Sequence, residues 1–117
     1  MSVVTLARHL EAQGPRSFAD KVGALGTELG ANIAEAAASQ SRRYSLKRYD
    51  AARRQARELI YWFRLAAASA EPPDPATYKP FIDECRVLTE MLTQQCQLVR
   101  DELHRKANAS PPPVPEE

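Results

Sequence analysis

Two histidines, His9 and His104, are the only imidazoles in the 117-residue chain, and their neighbours decide what chemistry they could support. A carboxylate-bridged di-metal bundle needs two Glu-x-x-His pairs and two further glutamates. Asp101-Glu102-Leu103-His104 supplies one acidic residue at that offset, whereas Leu6 precedes His9 by three. The set is incomplete, so no metal or cofactor is expected. His104 reads instead as a dipole partner near a helix C-terminus. Cys85 and Cys96 stand eleven apart. On one helix that places them roughly 16 Å from each other, beyond the ~7 Å a disulfide spans. They read as small core residues. Gly23, Gly26 and Gly30 follow no strand and lead to no Lys-Ser or Lys-Thr, so they form no phosphate loop. No catalytic residue or small-molecule substrate emerges, and a non-enzyme is expected.

Positive charge is the stronger signal. Residues 40–57 hold Arg42, Arg43, Lys47, Arg48, Arg53, Arg54 and Arg57 against Asp50 alone. That is a local +6 in a chain whose total is +1, so the remainder carries −5. These seven are candidate contacts for RNA, DNA or another acidic partner. Tyr44 and Tyr49 interleave with them and could stack on bases, although Tyr49 also falls on an apolar stripe. Asn32 and Glu35 form a second polar feature among small residues. They read as a structural tie between two helices, with Glu35 accepting from the Arg42–Arg43 side; a ligand site is the alternative.

Four helical segments are expected to position these residues. Val3, Leu6, Ala7 and Leu10 share the face of a short first helix that Gly14-Pro15 ends. Ser17 then caps a second helix whose stripe is Phe18, Val22, Leu25, Leu29 and Ile33. Beside it runs a small-residue stripe: Ala19, Gly23, Gly26, Gly30, Ala34 and Ala37. Each helical glycine costs ~1 kcal/mol against alanine, which close approach of another helix would offset. Ser45 offers the cap of a third helix reaching about Ala70, with Tyr49, Ala52, Ala56, Leu59, Ile60, Phe63 and Ala67 inward. Tyr61, Trp62 and Leu65 fall outside that stripe. After Glu71-Pro72-Pro73-Asp74-Pro75, a turn of helix and a bend at Pro80 lead to a fourth helix over about 80–106. Phe81, Cys85, Leu88, Leu92, Cys96, Val99 and Leu103 form its core stripe, and Val87, Met91 and Leu98 a second apolar line.

These segments predict an all-α, antiparallel up-down-up-down four-helix bundle over residues 1–107 with a short first helix. Residues 108–117 are expected to be a disordered Pro-rich tail. The apolar lines outside the core predict a homo-oligomer with an interface of Tyr61, Trp62, Leu65, Val87, Met91 and Leu98. No signal peptide or bilayer-length apolar run is evident, which predicts a cytoplasmic protein without a membrane role.

At Asn32-Ile33-Ala34-Glu35, followed by Arg43, Ser45, Lys47 and Tyr49, the chain resembles the four-helix-bundle proteins encoded in intervening sequences of large ribosomal RNA genes. Relatives of that family are accessory proteins of diversity-generating retroelements. The likeness covers about residues 17–105. Ala36 replaces a usual Gly, Arg48 an acid, and Glu58-Leu59 a small Gly-Ser pair; Trp62 stands near a usual Glu. The resemblance implies a ring-shaped homopentamer, with nucleic acid and a reverse transcriptase as possible partners. Most members have no known activity. The expected function is therefore non-catalytic binding through the basic helix. The alternative is a protein-interaction scaffold that uses Tyr61, Trp62 and Leu65 and has no nucleic-acid role.

Overall fold

A computed structural model describes the backbone of residues 3–109 and the side chains of residues 17–109. It contains three helices: α1 (Val3–Ala38), α2 (Arg42–Ser69) and α3 (Pro75–Ala109). The fold is all-α, but the expected four-helix bundle is incorrect, because α1 runs unbroken through Gly14 and Pro15. Proline lacks one backbone donor, yet its φ of about −65° is a helical value. Pro15 therefore weakens the helix without ending it. The same holds at Pro80, which lies inside the single helix α3. The tail was expected from residue 108, but α3 continues to Ala109. The expectation of disorder beyond it, and the inward face assigned to Val3, Leu6 and Leu10, lie outside the described residues.

The α1–α2 turn is Ser39-Gln40-Ser41. Ser41 is the N-cap of α2, with extended backbone and a side-chain oxygen that accepts from the Tyr44 N–H at 3.3 Å. The cap was expected at Ser45, one turn later. Ser45 is instead fully buried, and its Oγ donates to the Ala36 carbonyl at 2.7 Å. That carbonyl belongs to the last four of α1, which have no partner within their own helix. Between α2 and α3 the chain turns through Ala70–Asp74, with a cis Glu71–Pro72 peptide bond. Asp74 closes the turn: its N–H donates to the Ala67 carbonyl at 2.9 Å, and its carboxylate accepts from the Thr77 N–H at 3.2 Å.

α2 lies between the other two helices and packs against both; no Cα of α1 comes within 8 Å of one of α3 among the described residues. The molecule measures 76 × 26 × 23 Å. Leu25 and Leu29 of α1, Ala52, Ala56 and Leu59 of α2, and Cys85 and Leu92 of α3 form the main core. Alanines on α2 let its neighbours approach, and leucines on the flanking helices fill the space between. Phe18, Phe63 and Tyr78 join all three helices at one end, with ring centroids 6.3–6.4 Å apart. Phe81 was expected in the core but is 47% exposed. It lies at the edge of this cluster, stacked on Phe63 at 5.5 Å.

The glycine face departs from expectation. Gly23, Gly26 and Gly30 are exposed, and a β-carbon added to any of them would meet no atom within 4 Å. No described helix approaches there, so close packing among the described residues does not offset their cost.

Candidate nucleic-acid face and polar tie

The seven basic residues of α2 divide by partner. Arg42 donates to the Ser39 carbonyl (3.1 Å) and Ser45 Oγ (3.0 Å), and its second nitrogen lies 4.0 Å from Glu102 on α3. Arg53 and Arg54 share Asp50, at 2.7 and 3.5 Å. Arg48 faces α1. Its Nε lies 3.1 Å from Glu35, its Nη1 donates to Asn32 Oδ1 at 3.0 Å, and its guanidinium sits 5.0 Å from the Tyr44 ring centroid. Arg43, Lys47 and Arg57 are exposed and have no carboxylate partner among the described residues. With Arg54 they fall at steps of four, seven and three, one helical face about 21 Å long.

Both tyrosines already have partners within the chain, although Tyr44 stays 38% exposed. Tyr44 donates its hydroxyl to Glu35 at 2.6 Å and carries the Arg48 guanidinium on its ring. Tyr49 is half-buried against the core.

Asn32 and Glu35 belong to a polar ladder along the α1–α2 seam. Glu28 accepts from Gln55 Nε2 (3.1 Å), Gln55 Oε1 accepts from Asn32 Nδ2 (2.9 Å), and Asn32 Oδ1 accepts from Arg48, which also meets Glu35. Glu35 therefore bonds Arg48 and Tyr44, not the Arg42–Arg43 side. Sequence reasoning missed Glu28 and Gln55. Their signal was present as polar residues at helical spacing, 28-32-35 on α1 and 44-48-55 on α2.

The residues assigned to an oligomer interface separate in the same way. Leu65 is 1% exposed and cannot serve as an outer contact. The Ala36–Ser45 and Phe18–Phe63 contacts set a register that carries the unbroken α1 past the level of Leu65. Trp62 is half-buried against the core, with the Lys21 ammonium 5.8 Å from its ring; its indole N–H is enclosed and has no acceptor among the described residues. Tyr61 is partly exposed and meets Trp62 edge-on. Val87, Met91 and Leu98 are 57%, 57% and 56% exposed along one line of α3.

Cys85 and Cys96 are free and buried, and burial pushes both thiols up from their ordinary value. The negative charge of Glu84 adds to the effect at Cys85, and that of Asp50 at Cys96. His104 is exposed, and its Nε2 lies 3.1 Å from the Asn108 amide nitrogen. No group of three metal-ligating side chains occurs among the described residues. No described helix is long and apolar enough to cross a membrane.

No protein-family model, curated protein or solved structure matches this chain. The resemblance noted above rests on its short motifs alone. Of those, Asn32, Glu35 and Ser45 all lie in the α1–α2 seam.

Proposed function

We propose that this chain is a non-catalytic helical binding protein that takes a nucleic acid on the outward face of α2. The observation that supports the reading is that Arg43, Lys47 and Arg57 lie on one exposed stripe without carboxylate partners among the described residues. Three such contacts to a single strand give a salt slope of roughly −2. Affinity then falls roughly tenfold to twentyfold between 50 and 200 mM salt. Retention of labelled RNA and DNA by the wild type, measured against Arg43→Glu/Lys47→Glu/Arg57→Glu, tests this. Loss of retention with helicity intact supports it. Equal retention, or none from the wild type at low salt, refutes it. A reverse transcriptase, implied by the resemblance, would be a protein partner of the same face.

We also propose that copies of the chain associate through the exposed line of Val87, Met91 and Leu98. Three large apolar groups more than half exposed on one helix face support this second reading. Native mass above that of one 13.0 kDa chain, reduced to it by Met91→Lys/Leu98→Lys, is the expected result. A mass of five chains would agree with the resemblance. A monomer at micromolar concentration would rule self-association out.

A further inference from the structure

Where the C-terminal turns of α2 meet the first turns of α3, the two helices flank an open surface groove of about 590 Å³, most of whose lining residues are exposed. That volume lies within the ~300–1,000 Å³ range of small-molecule sites. Its wall is apolar: Ala67 and Ala68 on one side, Ala76 and Ile82 on the other. Three cations open onto it, Arg64, Lys79 and Arg86, against one carboxylate, Asp83.

The charges are not equivalent. Lys79 donates to Asp83 Oδ2 at 2.7 Å, and Arg86 lies 3.8 Å from Oδ1. Asp83 is thus shared and stays ionised; the hydrogen bond from Lys79 holds its carboxyl below the ordinary range. Arg64 has no carboxylate or hydrogen-bond partner among the described residues. The groove therefore combines one free guanidinium, a net excess of positive charge and a smooth aliphatic wall. A planar fork of N–H donors fits a carboxylate in bidentate fashion. The alanine and isoleucine surface fits a short hydrocarbon body. Neither part alone would hold a ligand: an exposed ion pair is weak in water, and a bare aliphatic wall has no directional preference.

We propose that this groove binds a small aliphatic carboxylate, with Arg64 on the carboxylate and the Ala68–Ile82 wall on the chain. Arg64 continues the α2 face seven residues beyond Arg57, but the rest of the carboxylate site comes mostly from α3, so Arg43→Glu/Lys47→Glu/Arg57→Glu should still bind octanoate and the two readings can fail separately.

Octanoate titrated into the full chain, followed by backbone amide shifts, is the test. The expected result is saturable movement confined to residues 64–68 and 76–86. Octanol, which has the chain but no charge, should bind about threefold to fivefold more weakly, and inorganic phosphate should show no saturation. Arg64→Gln should weaken octanoate by about the same factor. Ala68→Trp should block the groove; Ala68 is exposed, so that change leaves the core intact. The proposal is overturned by absence of saturation up to roughly 10 mM octanoate. It is also overturned if octanol or phosphate binds as tightly, or if Arg64→Gln binds like the wild type.

Discussion

Ser45 of α2 donates its hydroxyl to the backbone carbonyl of Ala36, the last buried residue of α1, at 2.7 Å. One side chain thus satisfies a helix-end acceptor and fixes the entry of the next helix. Arg42 reinforces the joint, donating to Ser45 Oγ and to the Ser39 carbonyl.

Replacing Ser45 with Ala should cost about 1–3 kcal/mol, because a buried carbonyl loses its partner without gaining water. Denaturant midpoints of the two proteins, at equal slope, measure the loss. An unchanged midpoint would mean that the joint contributes nothing.

Gly26→Ala and Gly30→Ala should each stabilise a single copy by ~1 kcal/mol, since nothing occupies the space the new methyl enters. Thermal unfolding at high dilution reports this. Destabilisation that appears only at high protein concentration would place a second copy against that face.

The stability of α3 should fall in acid through Asp74. The Thr77 hydroxyl and backbone N–H hold its carboxyl below the ordinary value. A group depressed on folding stabilises above its unfolded pKa, near 3.9, and that contribution is lost as pH falls through the folded one. Asp74→Asn should therefore flatten part of the acid limb of a stability–pH curve. An acid limb identical to the wild type would exclude the capping role.

Both cysteines should resist thiol reagents in the native protein at pH 8 and react fully once it is unfolded. Burial keeps each thiol protonated and covered. Fast native labelling of Cys96 would show that the α2–α3 seam opens readily.

The apolar stripes were legible because their period matches the helix: Leu25 and Leu29, Ala52, Ala56 and Leu59, Leu92, Cys96 and Val99 are all buried as their spacing predicts. Element ends were not. Ser41 and Ser45 are one turn apart, and spacing alone cannot rank two candidate caps. Gly14-Pro15 carries the composition of a stop, but a proline's φ is compatible with the helix it interrupts. Leu65 lies off the α2 stripe, so its burial had no signal in the spacing. The basic run was visible as charge, but its division into paired and free members depends on residues 16 and 60 positions away, Asn32 against Arg48 and Arg42 against Glu102.

Because α2 separates α1 from α3, nearly all backbone contacts join helices adjacent along the chain. Only short segments must close before each hairpin gains its own burial, so either hairpin can assemble first. Such topologies fold in microseconds to milliseconds, and the single core that draws on all three helices couples the two hairpins once both have formed.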